Sequence, residues 1–280
     1  MLKQRLITAL ILIPLVVSSI LWLPEHYFAI FVGLFVCVGS WEWTKFLCAA
    51  RSLQVTLLRI LFIGVIAVAL LLSWFFILKK PEIVELILIV ALFWWIWAFV
   101  LVIVYPGFAW FHRNLLFKST AGAMVLVPTW IAQVSLRNDH IGGIELLLYL
   151  LVLIASADTG AYFGGRKWGK NKLAPRVSPG KTWEGVFSGL LCVSVVAIVY
   201  SYSLGLHLLG WNNLLVFVLI SVMTAIFSIV GDLTESLFKR DAGLKDSGSI
   251  LPGHGGVLDR VDSLTAAAPV FLLLLGWFYF

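Results

Sequence analysis

The sequence contains about nine apolar runs that are each long enough to cross a lipid bilayer as a helix. A helix needs about 20 mainly apolar residues to cross the hydrocarbon core, where no water satisfies an open backbone. The runs lie near residues 6–24, 28–49, 57–78, 84–105, 116–136, 144–164, 184–204, 213–235 and 262–280. A soluble globular domain is excluded, because the chain is 61% hydrophobic and only 12% charged. The sequence therefore predicts an all-α, polytopic integral membrane protein with about nine transmembrane helices.

The distribution of basic residues predicts how these helices are oriented. The positive-inside rule places loops rich in Lys and Arg in the cytoplasm. With the N-terminus inside, nine spans put 17 of the 20 Lys and Arg residues on the inner side and leave Lys79, Lys80 and Arg137 outside. The first run follows Lys3 and Arg5 but lacks a small-residue cleavage site, which favours a retained helix over a signal peptide. We therefore expect an inner-membrane protein whose polar site faces the cytoplasm.

The two halves of the chain differ in the chemistry that they carry. Residues 1–140 contain transmembrane runs without a clear motif, whereas residues 141–280 contain two charged loops, predicted at 165–183 and 241–258. In the first half, Glu42 lies between Trp41 and Trp43 inside an apolar run, where an acid is costly. Glu42 either caps a polar cavity or lies close enough to the inner interface to be solvated. We favour the second interpretation.

The most charged stretch of the chain begins where the eighth run ends. If the helix continues past Gly231, five polar residues fall on one stripe at spacings of three and four. These residues are Asp232, Glu235, Ser236, Lys239 and Arg240. Alternatively, Glu235 simply pairs with Lys239 one turn on, and the two cations mark a membrane boundary. The stripe alone leaves both interpretations open.

A glycine-rich segment follows, and it favours a phosphate site over a simple boundary. Residues 241–257 contain too many Gly and Pro residues for a helix. Glycines let backbone N–H groups approach phosphate oxygens, and a nearby lysine supplies countercharge. The candidate residues are Lys245, Asp246, Gly253, His254, Gly255 and Gly256. Asp259 and Asp262 then fall on one helical face, where their oxygens suit a hard cation such as Mg²⁺.

A second polar region lies between residues 157 and 185. Asp158 lies at the cytoplasmic end of an apolar run and has no basic neighbour in that run, so it should face protein or water rather than lipid. The next loop is rich in Lys and Arg, which by itself is typical of a positive-inside anchor. Ser178, Lys181 and Glu184 give this loop more specificity than an anchor needs. We therefore expect the loop to contact a substrate.

Both regions resemble those of one enzyme family. The residues that carry the resemblance are Ser236–Arg240, Lys245, Asp246, Gly248 and the run PGHGGVLDRVD from Pro252 to Asp262. They resemble the signature of the phosphatidate cytidylyltransferases, also called CDP-diacylglycerol synthases. The segment from Ala157 to Gly185 resembles a second, less diagnostic region of the same family, so the resemblance covers about the C-terminal half of the chain. It implies transfer of a cytidylyl group from CTP to phosphatidate, giving CDP-diacylglycerol and pyrophosphate.

The residue chemistry and the resemblance together imply a set of roles. The cation ligands would be Asp232, Asp259 and Asp262, which would hold either one Mg²⁺ ion or Mg²⁺ together with a second cation. The catalytic set would be Lys239, Arg240, Asp246 and Arg260, with the three cations contacting phosphates. Substrate would be bound by Ser178, Lys181, Ser236, Lys245, Gly253, His254, Gly255 and Gly256, with Asp158 and Glu235 in support. Expected partners are CTP, phosphatidate and membrane lipids, without nucleic acid. A homodimer is compatible with the sequence.

Three other classes of membrane protein share part of this pattern. A CDP-alcohol phosphotransferase would have Gly after the second aspartate of its D-x-x-D motif, where this chain has Ser263. An ion-coupled transporter would hold its acids near the midplane of the membrane rather than at one face. A CTP-dependent polyprenol kinase would share CTP use and similar motifs. The kinase stays open as the alternative function.

Overall fold

The computed structural model describes residues 2–47, 53–108, 114–138, 142–203 and 211–279. Its described part contains nine α-helices, and a short π-helical turn at Ser73–Ile77 continues the third. The helices are α1 (Leu2–Trp22), α2 (Glu25–Leu47), α3 (Leu53–Leu72), α4 (Pro81–Val104), α5 (Leu115–Arg137), α6 (Gly143–Trp168), α7 (Trp183–Ser203), α8 (Trp211–Asp241) and α9 (Leu258–Tyr279). Eight of them are long and apolar enough to cross a membrane, and α1 has a shorter apolar part, Leu6–Trp22. The predicted all-α, multi-pass membrane fold is confirmed.

The charged ends of three helices extend further than the hydrophobic runs alone indicate. Helix α6 continues to Trp168, so the first four residues of the loop predicted at 165–183 are helical. Helix α8 continues to Asp241, whereas the apolar run was expected to end near residue 235. Helix α9 begins at Leu258 rather than near residue 262. The polar stripe from Asp232 to Arg240 is therefore helical, and Asp259 and Asp262 both lie in the first turns of α9.

A short β-hairpin occupies the first of the two predicted polar loops, and the sequence reasoning did not foresee it. Strand β1 (Lys172–Ala174) pairs antiparallel with strand β2 (Ser178–Thr182). Asn171 closes the hairpin, because its backbone carbonyl accepts from Trp183 N at 2.9 Å and its side chain donates to Glu184 at 2.8 Å. The hairpin leads directly into α7 and so fixes Lys181 two residues before that helix begins.

Glycines allow the helices of the C-terminal half to pack closely. A Cβ atom at Gly231 would lie 2.5 Å from the backbone oxygen of Asp262, so α8 and α9 touch at this point. A Cβ atom at Gly189 would lie 2.7 Å from the backbone oxygen of Ala157, where α7 meets α6. Small residues permit such approaches in membrane helices. The α8–α9 contact places Asp232, the residue after Gly231, beside Asp262.

The N-terminal half supports the charged end of α8. Trp43 of α2 packs against Phe238 of α8, with ring centroids 5.0 Å apart, and donates to the backbone oxygen of Lys118 in α5 at 3.0 Å. Lys118 forms a buried ion pair with Asp241, the last residue of α8, at 3.0 Å. Helices α2 and α5 therefore hold the end of α8 that carries the predicted phosphate-binding cations.

Candidate active site

Asp259 organises the segment between α8 and α9, residues 242–257, which we call the glycine loop. Its Oδ2 accepts from the backbone N of Ser247 at 2.9 Å, from Ser247 Oγ at 2.9 Å and from the backbone N of Gly256 at 2.8 Å. Its Oδ1 accepts from Lys239 Nζ at 2.7 Å. Since four donors surround a side chain that is 5% exposed, Asp259 joins Ser247 and Gly256 of the loop to Lys239 of α8.

A second carboxylate, Glu42, contacts the glycine loop from the N-terminal half. Its Oε2 accepts from the backbone N of Leu258 at 2.8 Å and weakly from Ser247 Oγ at 3.4 Å. Glu42 is fully buried, so our interpretation of a solvated residue near the interface is wrong. The physical reason is that α2 packs against the loop, where Glu42 satisfies one of the open N–H groups at the start of α9. An acid between two tryptophans in an apolar span was the available signal.

Two adjacent glycines of the loop are required, one by the contact with Glu42 and the other by its backbone conformation. A Cβ atom at Gly256 would lie 2.5 and 2.6 Å from the two carboxylate oxygens of Glu42. Gly255 has a φ of +84°, a left-handed conformation that favours glycine over other residues. Lys45, one turn after Glu42, donates to the backbone oxygen of Ser247 at 2.7 Å. The loop is therefore fixed from two sides, by Asp259 and by α2.

A chain of alternating charges runs beside the loop along α8. Lys181 of β2 forms an ion pair with Asp232 at 2.7 Å, and Ser236 donates to the same carboxylate at 3.3 Å. Lys239 bridges Glu235 at 3.2 Å and Asp259 at 2.7 Å. The helix-internal pairing of Glu235 with Lys239 thus exists, but Lys239 also reaches across to α9. The arrangement brings acids and cations from three elements into one cluster, as a phosphate-transfer site requires.

The remaining cations and loop residues lie at the accessible edge of this cluster. Arg240 donates to the backbone oxygen of Val177 at 3.3 Å and links α8 to the hairpin. Arg260 donates to the backbone oxygen of His254 at 3.1 Å and steadies the glycine loop. Both arginines are exposed and keep further N–H groups for a ligand, and the neighbouring loop residues Lys245 and Asp246 are exposed as well.

A cavity of about 370 Å³ opens on the other side of the charge cluster. It lies between α6, β2, α7 and α8, and Lys181 and Asp158 contribute to its wall. Asp158 lines this cavity together with Lys181, as we expect of an acid that faces protein or water rather than lipid. Ser178 lies at the start of the same strand, β2, and is not among the residues that line this cavity.

Comparison with known proteins supplies the family. The model of the cytidylyltransferase family matches residues 3–278. The chain belongs to this family. It is 42% identical to the phosphatidate cytidylyltransferase of Haemophilus influenzae, over 100% of this chain and 99% of that protein, and 41% identical to that of Pseudomonas aeruginosa, over 99% of each. The phosphatidate cytidylyltransferase of Staphylococcus epidermidis is 47% identical over 48% of this chain and 50% of its own length. The resemblance found in the sequence is confirmed, and it extends over the N-terminal half.

Magnesium was the expected cofactor of a cytidylyltransferase, and the carboxylates give a partial match to such a site. Within the described residues, no group of three or more His, Cys, Asp or Glu side chains lies close enough to hold a metal ion. Asp232 and Asp262 lie at the close contact of α8 with α9, and their charges interact. Mg²⁺ is commonly held by one or two carboxylates together with substrate phosphates. This pair fits a cation shared with a nucleotide, whereas the oxygens of Asp259 already accept from four donors.

Proposed function

We propose that the protein transfers the cytidylyl group of CTP to phosphatidate, forming CDP-diacylglycerol and pyrophosphate for phospholipid synthesis. The observation that carries this proposal is the match of 41–42% identity over essentially the whole chain to proteins named phosphatidate cytidylyltransferase. The charge cluster supports it, because acids and cations alternate at the end of membrane-spanning helices. At such a place a water-soluble nucleotide and a membrane lipid can meet.

The reaction needs no side-chain nucleophile. A phosphate oxygen of phosphatidate attacks the α-phosphorus of CTP, the bond from that phosphorus to the bridging oxygen breaks, and pyrophosphate leaves with the electron pair. Lys239 lies at the centre of the cluster and is held by Glu235 and Asp259, so its ammonium group is positioned before substrate arrives. Arg240 and Arg260, at the accessible edge, would neutralise charge on the departing pyrophosphate. Catalysis would consist mainly of positioning and electrostatic stabilisation.

A magnesium ion would be held by Asp232 and Asp262 in this proposal. When bound, it would neutralise phosphate charge and make the leaving group more stable. Lys181, which contacts Asp232 in the ligand-free protein, would then be available to a substrate phosphate. Asp259 would act mainly by fixing the glycine loop, whose residues Gly253–Gly256 would contact the nucleotide.

We further propose that the protein lies in the inner membrane with this site facing the cytoplasm. The proposal is supported by the placement of 17 of 20 Lys and Arg residues on one side. Reporters inserted after Arg176, in the β-hairpin, and after Lys80, between α3 and α4, should report opposite sides of the membrane. If both report the same side, the order of the spans is wrong. Assembly as a homodimer stays a prediction that a mass measurement in detergent would test.

The labelled products of CTP decide between this function and a CTP-dependent lipid kinase. Purified protein is incubated with phosphatidate, Mg²⁺ and CTP labelled at the α- or the γ-phosphorus. Cytidylyl transfer places the α-label in lipid and releases pyrophosphate. A kinase would place the γ-label in lipid and leave CDP. Finding the γ-label in lipid, with a polyprenol accepted in place of phosphatidate, would refute the proposal. Absence of any CTP turnover would instead favour a transport function.

A further inference from the structure

The cavity beside the charge cluster has two chemically different walls. Its polar wall carries Arg166, Lys181 and Asp158, whereas Val186 and Ile229 contribute apolar surface at the other side. These residues come from α6, β2, α7 and α8, so four elements with separate positions in the sequence build one site. A volume of about 370 Å³ is enough for a headgroup and the beginning of its tails.

The polar wall suits a phosphate group. Lys181 ends 2.7 Å from Asp232, so a phosphate that contacts Lys181 lies next to the carboxylates of the active site. Arg166 donates to the hydroxyl of Tyr162 at 3.1 Å, which holds the guanidinium group at the cavity wall while its other N–H groups stay available. Two cations with fixed positions match the charge of a phosphate monoester better than that of a diester.

The surroundings of the cavity suit a lipid. Tyr162, Phe163 and Phe187 are 58%, 62% and 65% exposed, and they lie on the membrane-spanning helices α6 and α7 near the charged ends of those helices. Aromatic side chains are enriched where the membrane meets water. The cavity therefore lies at the depth of lipid headgroups, with its apolar wall directed along the spanning helices. A nucleotide would use that wall poorly, and the glycine loop offers it the exposed cation Lys245 instead.

We propose that this cavity binds the phosphate monoester headgroup of the lipid acceptor, with Arg166 and Lys181 contacting the phosphate and Tyr162 orienting Arg166. The first part of the lipid tails passes along Val186 and Ile229. The proposal rests on the proposed function and assigns the two substrates to opposite sides of the acidic pair. Since CTP also carries phosphates, it is the other source of the same chemistry, and the test must separate the two.

The test compares Arg166→Gln with Lys167→Gln, its neighbour on α6, whose ammonium group lies 4.9 Å above the ring of Trp168 instead of in the cavity. The KM for phosphatidate is measured in mixed micelles at saturating CTP, and the KM for CTP at saturating phosphatidate. Loss of a charge-assisted contact should raise the phosphatidate KM about ten- to hundredfold in Arg166→Gln. The KM for CTP should stay unchanged, and Lys167→Gln should resemble wild type. A rise in the CTP value alone would assign the cavity to the nucleotide, and no change in either value would overturn the proposal.

A second variant and a binding measurement keep the proposal independent of one side chain and of turnover. Val186→Trp fills the cavity without changing charge and should also raise the KM for phosphatidate selectively. Phosphatidate vesicles, compared with phosphatidylcholine vesicles, should raise the thermal unfolding midpoint of wild type and of Lys167→Gln, but less for Arg166→Gln. If wild type makes no cytidine-labelled lipid, the proposed function fails. In that case the thermal measurement still tests whether the cavity binds phosphatidate. Equal shifts of the unfolding midpoint in all three proteins would refute that assignment.

Discussion

Glu42 should act as a positioning residue, and its replacement by alanine gives the most direct test of the link between the two halves of the chain. The substitution leaves the buried N–H of Leu258 without its acceptor at 2.8 Å. Leaving such a group unsatisfied costs about 1–3 kcal/mol. Ser247 Oγ adds little to this cost, because it also donates to Asp259 at 2.9 Å. If the loop must keep its position in the transition state, kcat/KM should fall about five- to hundredfold.

The conservative variants separate hydrogen bonding from charge. Glu42→Gln keeps a carbonyl oxygen that accepts from Leu258, so it should retain most activity. Its amide nitrogen would replace Oε1, which has no hydrogen-bond partner within the described residues. Glu42→Asp is one methylene shorter and should lose activity nearly as Ala does. Glu85→Ala serves as the control, because Glu85 accepts from Trp277 at 2.9 Å near the opposite end of α9.

The assay is the initial rate of cytidine-labelled lipid formation in detergent, with kcat and both KM values measured for each variant. Thermal unfolding of the same preparations accounts for any change in the amount of folded protein. A positioning role predicts that kcat/KM decreases from wild type to Glu42→Gln and further to Glu42→Asp and Glu42→Ala. The KM for CTP should change more than the KM for phosphatidate. The reasoning fails if Glu42→Ala keeps normal kcat/KM. It fails equally if Glu85→Ala loses activity to the same extent.

Four further variants address the acidic pair, the buried ion pair and the helix contact. Asp232→Asn and Asp262→Asn should each lose most activity, and each should raise the Mg²⁺ concentration needed for half-maximal rate, because a neutral amide binds a hard cation weakly. An unchanged Mg²⁺ dependence would remove that residue from the ligand set. Lys118→Ala removes one partner of the buried ion pair with Asp241, and breaking such a pair costs about 3–5 kcal/mol, so the thermal unfolding midpoint should shift clearly downward. Gly231→Ala should push α8 from α9 and reduce activity more than Gly64→Ala in α3, where a Cβ atom meets nothing within 4 Å.

Hydropathy predicted the fold because membrane spans need long apolar runs, but it placed helix ends poorly where polar residues continue a helix. Helix α8 runs to Asp241 because Lys239 and Asp241 find buried partners on α9 and α5, and hydropathy does not register such contacts. The β-hairpin was missed for a related reason. Its closing bonds join Asn171 to Glu184, thirteen residues apart, and no local pattern of either residue indicates a strand.

The site was predictable where its residues are close in sequence and not where another helix supplies a partner. The stripe from Asp232 to Arg240 and the glycine loop were visible in the chain, and so was the acidic pair in α9. Glu42 was misinterpreted because its burial depends on the fit of Gly256 against α2, more than 200 residues away. A buried acid is costly unless donors surround it, and a single sequence does not reveal donors that arrive from a distant loop.

Asp259 and Asp262 illustrate how two similar residues in one motif come to differ in chemistry. Both are aspartates in the first turns of α9, and their spacing alone favours a shared cation. Asp259 accepts from Lys239 at Oδ1, and from Ser247 twice and Gly256 at Oδ2, so four donors already surround its carboxylate. Asp262 accepts from the backbone N of Ser263 and faces Asp232, so it has acceptor capacity left beside a like charge. A cation between Asp232 and Asp262 would relieve that repulsion, and the loop would stay fixed by Asp259 whether or not the cation is present.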